Sequence, residues 1–255
     1  MHLPDGFLNN GTAGSLLGMV AAAVVFAASK VRSTFLEKVP VLRAKLATFP
    51  DFGGSSAFSI RRQLSERGRE RLWRMASVGA LVFSAQMVNF PIGGGTSGHV
   101  IGGVVATLVA GPFEGFLAIT AVLTVQAVVF GDGGVLALGA NIFNMGIVGA
   151  LGGYAFFRFL SYGKDVKRQF LRNAFVAAWV SVIAAAVMAS LEIALSGTKP
   201  LSIVLPAMAL THIVIGCAEG MITALILSLL LNHGFSLAAL EKPVAAEIDD
   251  YAAKE

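Results

Sequence analysis

Cysteine and charge are both scarce in this 255-residue chain. The single Cys217 excludes an intrachain disulfide and a metal site built from several thiolates. Charged residues make up 13% of the sequence, against roughly 25% in typical soluble domains. Hydrophobic residues make up 56%, and the mean hydropathy is +0.76. This balance predicts an integral membrane protein, and the length leaves room for roughly six to eight spans of about 20 residues each.

Two further absences restrict the function. Residues 1–12 contain no Lys or Arg, so they lack the charged region with which a secretory signal peptide begins. The phosphate-binding pattern G-x-x-x-x-G-K-[ST] is also missing, since Gly163-Lys164-Asp165 has neither the preceding loop nor the hydroxyl. We therefore expect no cleavable signal peptide and no ATP hydrolysis by this chain.

The basic residues cluster between apolar runs. Eleven of the nineteen Lys and Arg residues lie at 30–74, and five more lie between 158 and 172. Short basic loops remain on the cytoplasmic side of a membrane. The pattern therefore predicts an all-α bundle of about seven transmembrane helices, with the N-terminus outside and the C-terminus cytoplasmic. The predicted spans are 13–29, 75–90, 100–111, 113–130, 135–160, 173–195 and 205–232.

The same pattern divides the chain into two parts. Residues 1–232 are predicted to form the transmembrane domain, which includes a basic cytoplasmic loop at 30–74, and residues 233–255 a polar cytoplasmic tail. Within the loop, residues 61–74 resemble a short basic helix at the membrane surface. Anionic lipid of the inner leaflet accounts for this charge better than nucleic acid does. The lipid bilayer is therefore an expected partner, and nucleic acid is not.

The first two residues form a potential metal chelate. The α-amine of Met1, the amide nitrogen of His2 and a ring nitrogen of His2 can close on one metal ion in two fused rings. A fourth nitrogen from elsewhere would complete a plane, and such sites suit Ni(II) or Cu(II). Met1 is expected to be retained, since histidine is too bulky for efficient removal of the preceding methionine. The alternative is that His2 is an exposed terminal residue without a role.

The predicted topology gathers further polar residues on the outer side. His99 and His212 fall there, as do Asn141 and Asn144. Polar groups in a membrane span are costly unless they are partnered, so they mark a functional site by default. The glycines around His99 would let a peptide such as residues 1–8 approach closely. For His212, a hydrogen-bonded role in helix packing remains an equal alternative.

Three segments of the sequence together resemble the CbiM/NikM family. They are MHLPDGFL at residues 1–8, PIGGGTSGHVIGG at 91–103 and VVFGDGGVLALGANIFNMG at 128–146. Members of this family are the substrate-binding membrane components of energy-coupling factor (ECF) transporters for cobalt and nickel. The resemblance extends from residue 1 to about 232, although the loop at 30–74 is longer than the family pattern leads us to expect.

The resemblance implies a ligand set for the metal. The α-amine of Met1, the amide and ring nitrogens of His2 and a ring nitrogen of His99 would hold it in a plane. Around this plane, the resemblance suggests supporting roles for the remaining three polar residues. These are Asn141, Asn144 and His212. The direct Met-His start and the GGGTSGH loop look closer to the nickel branch of the family than to the cobalt branch.

The resemblance also implies partners and a location. It implies a coupling transmembrane subunit, two ATPase subunits and often a small auxiliary membrane protein, all in a prokaryotic cell membrane. The only ligand would be the transported Ni(II) or Co(II), with no resident cofactor.

Two other functions remain as alternatives. A gradient-driven secondary transporter or channel for divalent metals predicts paired charges at mid-membrane and inverted repeats. The sequence has no visible repeat, and Glu114, Glu192 and Glu219 are the acidic residues available for such a role. A membrane enzyme with a catalytic metal on His99 and His212 would need an open coordination position and a general base. A saturated four-nitrogen plane offers neither, so we expect no enzymatic activity.

Overall fold

The computed structural model describes residues 2–42, 58–88, 90–92, 96–160, 165–235 and 237. These residues form α-helices and two antiparallel β-hairpins. The helices are α1 (Asn10–Phe35), α2 (Glu66–Gln86), α3 (Gly103–Ala110), α4 (Pro112–Val125), α5 (Leu138–Ile142), α6 (Gly153–Phe159), α7 (Val166–Leu195) and α8 (Leu201–Asn232). The strands are β1 (Leu36–Leu42), β2 (Phe58–Leu64), β3 (Phe90–Ile92) and β4 (Thr96–Gly98). The π-helical segments Gln126–Phe130 and Phe143–Gly152 extend α4 and join α5 to α6.

Five helical segments among the described residues are long and apolar enough to cross a membrane. They are Asn10–Phe35, Pro112–Phe130, Leu138–Phe159, Val166–Leu195 and Leu201–Asn232. The prediction of a helical multi-pass membrane protein is therefore confirmed. The spans predicted at 75–90 and 100–111 fall on α2, whose first half is charged, and on α3. With eight residues, α3 is about 12 Å long, well short of the roughly 30 Å hydrocarbon core. The count of seven spans and their orientation remain predictions.

Part of the basic loop is not the helix that the sequence predicts. Residues 61–64 belong to β2, which pairs antiparallel with β1 so that Leu36 lies opposite Leu64. The helix begins at Glu66, where the Ser65 hydroxyl accepts a hydrogen bond of 2.9 Å from the amide of Gly68. The Ser65 amide donates to the Phe35 carbonyl at 2.9 Å, which closes the hairpin at its base. This long-range pairing overrides the local helical pattern. Residues 43–57 and most of the predicted tail lie outside the described residues.

Small residues allow the main helices to pack closely. A Cβ added at Gly216 of α8 would lie 2.8 Å from the Trp179 ring of α7, and one at Gly220 would lie 2.7 Å from the Phe175 ring. Such distances are too short for any larger side chain. Glycine at these positions therefore serves helix packing, as small-xxx-small spacing indicates in membrane bundles.

The loops that the sequence predicts on the outer side meet at one end of the bundle. Residues 2–8, here called the N-terminal plug, lie there against the loop before α5 and the loop before α8. The Gly134 amide donates to the Leu3 carbonyl at 2.9 Å, and the Thr198 hydroxyl donates to the Phe7 carbonyl at 2.6 Å. This grouping agrees with the predicted sidedness of these loops, and it places the plug beside the predicted metal ligands.

Candidate metal-binding site

Leu3 fixes the N-terminal plug inside the bundle. Its amide donates to Asn141 Oδ1 at 2.8 Å, and Asn141 Nδ2 donates back to the Leu3 carbonyl at 3.1 Å. The Leu3 side chain is completely buried. A side-chain amide that pairs with both backbone groups of one residue holds that residue in a single orientation. The preceding residue, His2, is consequently directed into the protein rather than into solvent.

Asp5 makes the second attachment of the plug. Its Oδ1 accepts hydrogen bonds from the amides of Leu136 (2.8 Å) and Ala137 (3.3 Å), directly before α5. Gly134 packs against Asp5 so closely that no Cβ would fit, and Gly133 adopts a φ of +92° beside the His2 ring. Gly133 and Gly134 of the GDGG segment are therefore required by the fit of the plug.

His2 and His99 meet at the buried start of the plug. Their ring centroids lie 4.5 Å apart, with 33° between the ring planes. His2 is 4% exposed and His99 is fully buried. The turn that follows the β3–β4 hairpin carries His99, and Gly102 at φ 73° ends this turn before α3. Two imidazoles that are remote in sequence are thus placed in contact away from water.

The hydrogen bond of His99 defines which ring nitrogen is available. Its Nδ1 lies 2.7 Å from the Val100 carbonyl, which can only accept a hydrogen bond, so Nδ1 carries the proton. Nε2 is buried and has no hydrogen-bond partner within the described part of the chain. Metal-binding histidines commonly donate their other N–H to a backbone carbonyl, which orients the free nitrogen. His99 has this arrangement.

Two other helices hold the turn that carries His99. The Glu219 carboxylate of α8 accepts hydrogen bonds from the amides of Ile101 (2.8 Å) and Gly102 (2.7 Å). Gln86 at the end of α2 donates to the Ile101 carbonyl at 2.7 Å. Sequence reasoning identified Glu219 only as an acidic residue in a span and did not assign it this role. A buried carboxylate in an apolar helix needs N–H donors. This requirement is the feature of the sequence that could have indicated the role of Glu219.

Burial favours the neutral form of both rings. Desolvation lowers the pKa of His2, although Asp132 and Gln126 beside the ring offset part of this effect. Desolvation also lowers the pKa of His99, well below its usual range. Asp132 Oδ1 lies 3.1 Å from His2 Nδ1. The sequence pointed to the GDGG segment as a whole but singled out neither Asp132 nor Gln126. Neutral rings retain the lone pairs that a metal ion requires.

The other predicted residues contact different groups in the protein. Asn141 holds the plug, whereas Asn144 donates to Glu192 Oε2 at 2.7 Å. His212 is fully buried, its Nδ1 lies 2.7 Å from the Met208 carbonyl, and its charge would act on His99. Met1 lies outside the described residues. Among the described residues, no group of three or more His, Cys, Asp or Glu side chains is placed to hold a metal ion.

The fold and this arrangement define a multi-pass membrane protein with an N-terminal segment folded back between its helices. Comparison with known proteins identifies the family. Residues 52–236 match the family model CbiM, described as the cobalt uptake substrate-specific transmembrane region. The chain therefore belongs to the CbiM family.

Individual relatives agree with this assignment. A NikMN relative from Archaeoglobus fulgidus is 35% identical over 232 residues, which cover 89% of this chain and 64% of that protein. The fused nickel transport protein NikMN of Rhodobacter capsulatus is 32% identical, covering 96% of this chain and 66% of its own length. A crystal structure of a truncated transition metal transporter superposes with a TM-score of 0.73 at 28% identity, covering 91% of this chain and 99% of that one. The chain thus spans about two thirds of the length of its fused relatives.

Proposed function

We propose that this chain is the substrate-capture subunit of an ATP-driven ECF-type importer of nickel or cobalt ions. It binds Ni(II) or Co(II) from outside in a square-planar nitrogen site. The donors are the α-amine of Met1, the amide and ring nitrogens of His2, and Nε2 of His99. Asn141 and Asp5 hold the plug, which carries the two donors of His2 and directly follows Met1.

The observation that supports this proposal most is the contact between the buried rings of His2 and His99. Burial lowers the pKa of both rings, and Nε2 of His99 is buried with no hydrogen-bond partner among the described residues. The two residues nearest to a free α-amine can contribute three nitrogens to one ion, so a single imidazole completes the plane. Nitrogen planes of this kind suit Ni(II), which binds more tightly than Co(II) in the same ligand set. Nickel is accordingly the proposed preference.

In this proposal, partner subunits supply the free energy that releases the bound ion into the cytoplasm. A buried site that binds a metal tightly must be opened before the ion can leave, and this sequence has no nucleotide-binding loop. The resemblance to ECF components supports a coupling transmembrane subunit, two ATPase subunits and a small auxiliary membrane protein as partners.

The alternative of a gradient-driven transporter or channel has less support. Such a mechanism requires acidic groups at mid-membrane that exchange ions or protons. Glu219 accepts two backbone hydrogen bonds, and Glu114 lies 3.5 Å from Arg71. Glu192 accepts a hydrogen bond from Asn144. These carboxylates therefore already have structural partners, whereas the nitrogens of the His2–His99 pair match the metals named for the family.

Calorimetric titration of the purified protein with Ni(II) tests the proposal. At pH 7 we expect tight binding with release of about two protons per ion, one from the α-amine and one from the His2 amide. Because burial lowers the pKa of both rings, they take up protons only at a lower pH than an ordinary imidazole does. Near pH 6.5, where two ordinary imidazoles would each be half protonated and would raise the count by about one, the count should therefore rise by less.

Repeating the titration in buffers with different ionisation enthalpies gives the number of protons released per Ni(II) ion. Mg(II), which prefers oxygen ligands in octahedral geometry, serves as the control and should not bind. Weak Ni(II) binding, or a count near zero at pH 7, would contradict an amine–amide chelate and with it the proposed capture site.

A further inference from the structure

A cavity of about 330 Å³ lies between α2, α3 and α8, in the half of the bundle opposite the N-terminal plug. Helix α8 begins just after Thr198, which contacts the plug, and extends over 32 residues, about 48 Å, to the other end. Helix α2 begins at the far end of α1, where the Ser65 amide donates to the Phe35 carbonyl. The cavity is lined by the middle of α2 and the last turns of α8. In the predicted topology, this half of the bundle is the cytoplasmic one.

The lining of the cavity changes from polar to apolar along α2. Trp73, Arg74 and Ser77 come first, and Val78 and Leu81 follow. Leu81 lies seven residues, about 10 Å, further along the helix than Arg74. The lining residues from α3, α8 and the segment after α8 are all apolar, and Arg74 is the only charged residue among the described residues that line the cavity. One end of the cavity therefore suits an anion, and the remainder suits a hydrocarbon chain.

The polar end of the cavity has the character of a membrane–water interface. Trp73 is 70% exposed at its rim, and tryptophan is typical of the headgroup level of a bilayer. The surrounding turns of α2 are basic, since residues 66–74 contain four arginines and two glutamates. Arg67 and Arg69 are exposed on these turns. Arginine matches the geometry of phosphate oxygens, so an anionic headgroup finds complementary charge here.

The size of the cavity favours a lipid chain over a helix of a partner protein. A helix about 10 Å across occupies roughly 420 Å³ for each turn of 5.4 Å. This exceeds the whole cavity volume of about 330 Å³. A single acyl chain is thinner and flexible, and it needs only an apolar lining, which α2, α3 and α8 provide.

We propose that this cavity binds one anionic phospholipid of the inner leaflet, with its phosphate at Arg74 and one acyl chain along the apolar residues of the three helices. Basic pockets between transmembrane helices on the cytoplasmic side bind anionic headgroups in this way. The lipid would fill the space between α2 and α8, the two helices that hold the His99 turn through Gln86 and Glu219. This site shares no residue with the proposed metal site and does not depend on it.

Quenching of tryptophan fluorescence by brominated lipids tests this inference on the full-length protein in lipid nanodiscs. The chain has two tryptophans, so all variants carry Trp179→Phe, which leaves Trp73 as the only emitter. Nanodiscs of phosphatidylcholine contain the same minor fraction of either brominated phosphatidylglycerol or brominated phosphatidylcholine. A random shell of lipid would quench Trp73 equally in both. We expect brominated phosphatidylglycerol to act with an apparent affinity at least about tenfold higher, the scale of one charge-assisted hydrogen bond.

Three variants separate a specific site from a general attraction of anionic lipid to α2. Arg74→Gln should abolish the preference for phosphatidylglycerol. Arg69→Gln is the matched control, because it removes the same charge from an exposed position outside the cavity lining and should retain the preference. Val109→Phe, which fills the apolar part of the cavity without changing any charge, should reduce quenching by the anionic lipid.

The helical circular dichroism spectrum and a single elution peak establish that each variant is folded. Equal quenching by the two brominated lipids in the Trp179→Phe protein overturns the inference, as does an equal loss of preference in Arg69→Gln and Arg74→Gln. Absence of quenching by either lipid also overturns it, because protein rather than lipid then covers the cavity. If Arg74→Gln does not fold, Val109→Phe decides, and an unchanged preference in that variant counts against the site.

Discussion

Blocking the α-amine of Met1 is expected to lower the affinity for Ni(II) by on the order of a thousandfold or more. A four-ligand structural metal site contributes about 10–16 kcal/mol, or roughly 2.5–4 kcal/mol for each ligand, and about 1.4 kcal/mol corresponds to a factor of ten. An N-terminal extension of Met-Ser-Gly-Ser converts the amine into a peptide amide while leaving the following sequence unchanged. It also removes the anchor that promotes deprotonation of the His2 amide. Competition with a chelator of known affinity measures the loss.

The control uses the same chain with a protease site in the extension. Cleavage that leaves Met1 as the first residue should restore binding to the level of the unextended protein. A single inserted residue is unsuitable for this test, because a histidine in third position supplies a complete four-nitrogen plane from its own peptide. If the uncleaved protein binds Ni(II) as tightly as the parent, the site does not depend on a free N-terminus.

Replacement of His99 by alanine is expected to weaken Ni(II) binding by on the order of a hundredfold, the scale of removing one nitrogen ligand. The side chain makes its hydrogen bond to the adjacent Val100 carbonyl. Glu219 and Gln86 hold the turn through backbone groups that the substitution leaves in place. The fold should therefore survive, and the loss should appear in metal affinity.

His212→Ala provides the matched control for this prediction. Like His99, His212 is fully buried, has its Nδ1 2.7 Å from a backbone carbonyl and leaves Nε2 without a partner among the described residues. It is not a proposed ligand, so its removal should cost no more than about tenfold. If His212→Ala weakens Ni(II) binding more than His99→Ala does, the fourth ligand is His212 of α8 and not His99.

Several features of the site could be predicted from local sequence. Long apolar runs identified the five helical segments, because a membrane span must satisfy its backbone internally. The alternation of basic and neutral loops predicted that the plug, the GDGG segment and the His99 turn lie on the same side of the membrane. Asn141 was identified as a polar group in a span, and it is the residue that anchors Leu3.

The unpredicted features depend on contacts between residues that are distant in the chain. The β1–β2 hairpin forms because two segments flanking residues 43–57 pair with each other. Asn144 has the same residue type as Asn141 and lies one turn away, yet it contacts Glu192 rather than the plug. Glu219 binds amides more than one hundred residues earlier. No local pattern encodes these partners, since each depends on how whole helices pack.

X-ray absorption at the nickel edge of the Ni(II)-loaded protein tests the central claim most directly. A four-nitrogen plane predicts the edge feature of square-planar Ni(II), four short nitrogen distances and the outer-shell scattering of two imidazoles. Loading the His99→Ala protein should remove one imidazole from that pattern. Six-coordinate nickel with mainly oxygen ligands, or a spectrum containing no more than one imidazole in the parent protein, would contradict a site formed by Met1, His2 and His99.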